Sequence, residues 1–366
     1  MAATLGEFTR WLEELIPPAF QEHYDNSGLQ VGDPEALTDS VLLTVDVTEE
    51  VIAEAGEHGC NLIISHHPLI FAPLKRIAGG SETERCIASA VRAGIAIYSA
   101  HTSFDNVSWG VSRILAEKIG LTKIRVLAPL KGKLSKIVTF VPVSHADNVR
   151  EALFSAGAGH IGNYDRCSFS VSGDGTYRAG EGASPFAGRV GEDHSEPEVR
   201  IEAVMPSHLS AACVRALLEA HPYEEAAYDI VALDNEYHGA GAGAIGTLPV
   251  PLSVTALLEK LKELTGIPVI RYCGDHSRTV TTVAVCGGSG SDLISTAARA
   301  GADAFVTGDI KYHVFRQAPG DMIVADIGHY ESEKFSLELL HSLINKKFPK
   351  FALRFSEIKT NPVNYH

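Results

Sequence analysis

The sequence predicts an α/β protein: a core of mostly parallel sheet in two similar halves, with a smaller α+β domain inserted in it. Three observations carry this. A unit of helix, glycine, short apolar strand and polar strand end occurs in both halves of the outer chain. Helices alternating with short apolar strands build a parallel sheet covered on both faces. The middle of the chain instead runs strand–helix–strand twice, and a Gly-rich stretch, Gly239 to Gly246, marks the return to the outer chain. We therefore expect a discontinuous core over 1–129 and 237–366 and an inserted domain over 130–236; at 366 residues the chain has room for both.

Taken in order, residues 5–16 read as an amphipathic helix, with Phe8, Leu12 and Ile16 on one face and Glu7, Arg10, Glu13 and Glu14 elsewhere. Asp25 to Gly32 is a turn rich in Asn, Ser and Gly. A strand over 41–45 ends at Asp46, and Thr48 caps a helix to about Glu57, with Glu49 and Glu50 in the first turn, where carboxylates suit the helix dipole. After Gly59 the run Asn61-Leu62-Ile63-Ile64 is a buried strand that leads into Ser65-His66-His67-Pro68. A helix over 82–93, Gly94 and a strand over 95–98 repeat the plan and end at His101-Thr102-Ser103-Phe104-Asp105. Near the C-terminus, strands over 283–285, 304–306 and 322–325 end respectively in Gly287-Gly288-Ser289-Gly290-Ser291, in Thr307-Gly308-Asp309 with His313 beyond, and in Gly328-His329 with a helix that carries Glu333.

In the middle, strands are expected over 136–141, 167–171, 200–204 and 227–233, with helices over 146–154 and 208–219. This is the order of a ferredoxin-like domain. Residues 172–198, rich in Gly, Pro, Ser and acid and short of aliphatics, read as a long, mobile loop.

Composition narrows the function. The net charge is −14 with no basic block, which argues against a nucleic-acid groove built on bulk charge. No apolar run approaches a membrane span, and the amphipathic N-terminus is not a signal peptide. The six cysteines form no C-x-x-C pair, so a cytoplasmic protein with reduced thiols is expected.

The sixteen histidines are more informative, because several fall where strands end. Ligands of open parallel sheets sit beyond the carboxyl ends of strands. Adjacent residues on a strand point to opposite faces, but past its end His66 and His67 can converge across a turn stiffened by Pro68. His329 and Glu333, four apart, share one helix face, and His101 and Asp105 repeat that spacing on a tighter loop. Singly, each would serve as a loop or cap residue; together they offer imidazoles and carboxylates, a mix that suits Zn, Fe, Mn or Co. One ion would leave ligands over, whereas two a few ångströms apart would activate a water and polarise a substrate oxygen. Two further motifs stay open. Gly287 to Ser291 is either a phosphate cradle or a tight strand-to-helix turn. His221-Pro222-Tyr223-Glu224-Glu225 is a small-molecule or second metal site, or, as we prefer, a helix stop with a capped turn.

These stretches resemble the NIF-three-like family, also known as GTP cyclohydrolase I type 2 homologues. The matching motifs are Asp25–Gly32, Ser65-His66-His67-Pro68, His101-x-x-x-Asp105, Gly287-Gly288-Ser289-Gly290, Thr307-Gly308-Asp309 with His313, and Gly328-His329-x-x-x-Glu333. The middle, with Gly157 to Tyr164 and His221 to Glu225, resembles the PII/CutA-like module of longer bacterial members. The resemblance implies a dinuclear centre of two divalent ions held by His66, His67, Asp105, His329 and Glu333. It implies His101 and His313 as lining residues or proton carriers, and a homohexamer built as a trimer of dimers. The function expected is metal-dependent hydrolysis of a small nucleotide-like substrate. The competing expectation is a non-enzymatic metal scaffold or chaperone with a regulatory or docking insert.

Overall fold

The computed structural model describes residues 2–366. The chain divides into two compact units, Met1–Pro129 with Gly239–His366, and Leu130–His238.

The first unit holds two large sheets and a two-stranded one, Ala3–Thr4 with Leu37–Thr38. In one, Ala352–Phe355, Ser40–Thr44, Leu62–Ser65 and Ala96–Ser99 lie side by side in parallel, and Gly28–Val31 closes the edge antiparallel. The apolar residues of Ser40–Thr44 and Leu62–Ser65 are completely buried, the mark of strands covered on both faces. The helices Glu49–Glu57 and Glu82–Ala93 pack Val51, Ile52, Ile87 and Ala90 against Leu42, Ile63 and Ile97. Their ends follow local chemistry. Thr48 and Ser81 accept the N–H groups of Val51 and Glu84, and Gly94 leaves the second helix at φ +65°, where a side chain would be strained. The N-terminal helix Leu5–Leu15 opens with a capping box between Thr4 and Glu7.

The second sheet is ordered Arg271–Cys273, Ile323–Asp326, Ala304–Gly308, Thr279–Ser289, Tyr237–Ser253 and Thr122–Leu130. Its centre, from Ile323–Asp326 to Thr279–Ser289, is parallel. Helices Val111–Ile119 and Val254–Thr265 bury Leu115, Leu257 and Leu261 against Val283, Val306 and Ile323.

The other unit runs Leu134–Pro142, helix Ala146–Ser155, Phe169–Arg178, Asp193–Pro206, helix Ser210–Ala220 and Tyr228–Leu233. Its antiparallel sheet is ordered fourth, first, third, second strand. Both helices cover one face, around Ile137, Val141, Val149, Leu153, Ile201, Met205 and Leu217. About half of the loop expected over 172–198 is instead strand: Phe169–Arg178 pairs from Glu202 to Asp193, and residues 179–192 connect the two. Phe169–Arg178 is exposed over most of its length, so it lacks the apolar alternation by which strands are read. No helix among the described residues is long and apolar enough to cross a membrane, and the six cysteines are free.

Candidate metal centre

Four turns at the carboxyl ends of parallel strands converge in the first unit. After Leu62–Ser65 the backbone keeps pairing for two more residues, His66 N–H to Thr44 O and His67 N–H to Val45 O. The Ser65 hydroxyl bonds the His67 carbonyl at 2.7 Å and lies 2.8 Å from the Ser99 hydroxyl, which locks this turn to the neighbouring strand. His101 N–H donates to His66 O, and His101 begins a short helix, His101–Asn106, rather than the expected loop. Its φ of +29° is a strained value for a residue with a side chain. Opposite, Gly328 leads into the helix His329–Glu333. Gly288, at φ +62°, lies so close that a Cβ there would stand 2.2 Å from Glu333 Oε1.

Glu333 is the hub. Its carboxylate is 3.4 Å from His66 Nε2, 3.0 Å from His67 Nε2 and 3.3 Å from His329 Nε2. Asp105 Oδ1 is 3.7 Å from His66 Nε2. The outward nitrogens are tied down: His67 Nδ1–H donates to Asp46 at 2.7 Å, His329 Nδ1–H to Asp309 at 2.7 Å and His101 Nδ1–H to Asp25 at 2.6 Å. A carboxylate behind an imidazole sets its tautomer and leaves Nε2 to bind a metal. His67 Nε2 and His329 Nε2 then face each other at 3.1 Å. His66 is fully buried with neither ring nitrogen hydrogen-bonded, and Asp105 Oδ1 is similarly orphaned. Buried polar atoms are almost always satisfied, so these donors fit a cation. His66, His67 and Glu333 form a candidate metal site, their ligand atoms all within 4.8 Å of one another.

The chain matches the family described as Duf34/NIF3 (NGG1p interacting factor 3) over residues 3–362. It belongs to the Duf34/NIF3 family. A Bacillus subtilis relative named GTP cyclohydrolase 1 type 2 homolog is 39% identical, with 96% of each chain covered. One of the same name from Mycobacterium leprae is 37% identical over 100% of this chain and 96% of its own. A solved Bacillus cereus protein related to NIF3 superposes with a TM-score of 0.87 at 38% identity, covering 100% of this chain and 99% of the other.

In this Duf34/NIF3 chain the side chains of the site polarise one another. Burial opposes charge on His67, but hydrogen bonds with Asp46 and Glu333 outweigh it and raise the imidazole to about 10. His329 rises to about 9 for the same reason, with Glu333 and Asp309 as partners. Burial also opposes the Glu333 charge, yet the surrounding imidazoles hold it well below the usual carboxylate range. Asp105 is pushed up to about 7, first by burial and then by the Glu333 charge. Asp25 resists burial too, and accepts from His101, Ser27 and Thr102, which lower it.

Of the residues singled out in the sequence, the structure gathers His66, His67, His101, Asp105, His329 and Glu333. It does not gather His313, which stands exposed on the helix Tyr312–Gln317 with its ring against Tyr312. The phosphate-cradle reading of Gly287–Ser291 fails, because Ser112, Ser332 and Thr307 take the N–H groups of Gly287, Gly288 and Gly290. Sequence reasoning also missed Asp25, Asp46 and Asp309 as partners of histidines. Asp46 in turn accepts from Thr360 at 2.8 Å, which ties the C-terminal segment to the site.

Proposed function

We propose that this protein is a dinuclear-metal-dependent hydrolase of a small nucleotide-like substrate. His66, His67, Asp105, His329 and Glu333 hold two divalent ions of the Zn, Fe, Mn or Co type. One observation carries the reading: a fan of imidazole Nε2 atoms and carboxylates, oriented from behind, buried on one flank at His66 and Glu333 and partly open at His67, Asp105 and His329. Catalytic sites keep such an open side, whereas structural sites are closed. The name borne by the relatives, GTP cyclohydrolase 1 type 2 homolog, supports the substrate class.

Divalent ions in this donor set supply Lewis acidity toward water and toward a substrate oxygen. The protein's own groups position and move protons. Asp46 and Asp309 hold the His67 and His329 rings in register. His101 packs 5.8 Å from the His66 ring and 5.6 Å from the His67 ring. With Nδ1 held by Asp25, it exchanges protons through Nε2.

In this reading the core halves arose by duplication, residues 130–236 are a PII/CutA-like insert, and the protein assembles as a cytoplasmic homohexamer, measurable by light scattering. The test is elemental analysis and a nucleotide hydrolysis screen on one preparation. Two ions per chain with metal-dependent turnover support the proposal. Bound metal without turnover of any nucleotide or phosphoester replaces it with a metal scaffold.

A further inference from the structure

The unit Leu130–His238 contains a cavity of about 690 Å³ that the metal chemistry leaves unused. It lies on the sheet face away from the helices, beneath the segment that joins Phe169–Arg178 to Asp193–Pro206. Pockets of this size hold a small organic molecule.

Two features show that the cavity is built rather than incidental. The strand Phe169–Arg178 carries Gly173 and Gly175 on one face, and glycine inside a strand weakens it unless something must come close. A Cβ on Gly175 would stand 2.2 Å from Glu198 Oε2, while one on Gly173 would meet nothing within 4 Å. The first glycine thus clears the floor, and the second lets the Glu198 carboxylate lie across the strand. Glu198 is only 8% exposed. Among the described residues its hydrogen-bond partner is the Tyr223 hydroxyl, at 2.8 Å, and no basic side chain pairs with it. A buried carboxylate without a counter-charge is costly.

The walls state what would relieve it. Tyr223 packs edge-on against Tyr177 with ring centres 5.9 Å apart, and Phe186 lies 6.0 Å away at a tilt. Aromatic faces around a carboxylate favour a cation, above all an organic ammonium. The charge balance agrees. Asp174, Glu198, Glu224 and Glu225 line the cavity against Arg178 and Arg200, and those two guanidiniums are already paired with Asp193 and Glu202. His221 is not free to bind: it accepts the Tyr223 N–H at Nδ1 and donates to Phe140 O at Nε2, the capped turn its sequence predicts.

We propose that this cavity binds a small organic ammonium compound, primary or quaternary, with its cation on Glu198 and its apolar body against Tyr177, Phe186 and Tyr223.

The test is calorimetric titration of the full-length protein with phenethylamine and with choline, against their neutral counterparts phenethyl alcohol and 3,3-dimethylbutanol. Saturable binding of an amine at one site per chain is expected, with no binding of the alcohols. Glu198→Gln keeps the shape and the Tyr223 hydrogen bond and should weaken binding by about tenfold or more. Phe186→Ala, at a half-exposed position, should weaken it by about threefold to tenfold without unfolding risk. No amine binding at millimolar concentration overturns the proposal, as does equal binding to wild type and Glu198→Gln, or equal binding of amine and alcohol. Two other sources of positive charge are separated in parallel. If Zn²⁺ binding is lost in Glu198→Gln and kept in His67→Ala, the cavity is a metal site. If amines do not bind and Glu198→Gln changes the sedimentation coefficient, a basic side chain of a second copy occupies it. Either result overturns the small-ligand assignment.

Discussion

Replacing Glu333 by Gln tests the hub directly. The carboxylate is 3% exposed and stands within 3.0–3.4 Å of His66, His67 and His329. In chelator-treated protein it is the shared counter-charge that raises both imidazoles, His67 and His329. Raising His67 from 6.5 to about 10 corresponds to stabilisation of about 5 kcal/mol in the charged state. Because the folded value lies above the unfolded one, this stability is fully present below pH 6.5 and is lost as pH rises toward 10. Removing one partner of a buried pair typically costs about 3–5 kcal/mol. At about 2–4 °C per kcal/mol for a unit of this size, the metal-free variant should melt roughly 6–20 °C lower at pH 7. It should also lose most of the decline in stability between pH 6.5 and 10. Added Zn²⁺ should raise the melting temperature of wild type and do little for the variant. The assay is thermal unfolding of chelator-treated protein across that pH range. A Glu333→Gln protein that melts within about 2 °C of wild type, with the same pH slope and the same response to Zn²⁺, refutes the hub.

Other substitutions separate the remaining roles. His101→Asn should retain metal by elemental analysis while hydrolysis falls about 100- to 10,000-fold; full turnover removes its proton-transfer role. Asp46→Ala should weaken metal affinity about 10- to 100-fold in a competitive chelator titration, and Thr360→Val, one bond further out, should weaken it less. Gly288→Ala forces a methyl group onto Glu333 Oε1 at a backbone angle that disfavours side chains, so metal content should drop in a chain whose circular dichroism is native. Replacing residues 130–236 by a short linker should leave a folded, metal-binding remainder, checked by melting and metal analysis.

The residues gathered at the centre were legible because strand ends in parallel sheets are where ligands sit, and because His329 and Glu333 carry their proximity in a helical spacing. The supporting carboxylates were not. Asp46 is 21 residues from His67, Asp309 is 20 from His329 and Asp25 is 76 from His101, so no local period links the members of each pair. Their common position just beyond a strand, in the cases of Asp46 and Asp309, was the available signal. The hairpin over Phe169–Arg178 escaped for the opposite reason: its glycines and polar residues look like a linker, yet they line a cavity. His313 was read from its nearness to Asp309 in sequence, but the intervening turn carries it to the surface.

His67 and His329 meet across 262 residues of chain. An ion gripped by both would be a topological staple, converting most of the polypeptide, the whole of the middle unit included, into one closed ring. By the chain-entropy relation for cross-links, a loop of that length removes about 5–6 kcal/mol of freedom from the unfolded chain. Metal supply would then set the lifetime of the fold as well as its chemistry. A nascent chain could not be fastened until His329 and Glu333, and the Thr360 that braces Asp46, had left the ribosome.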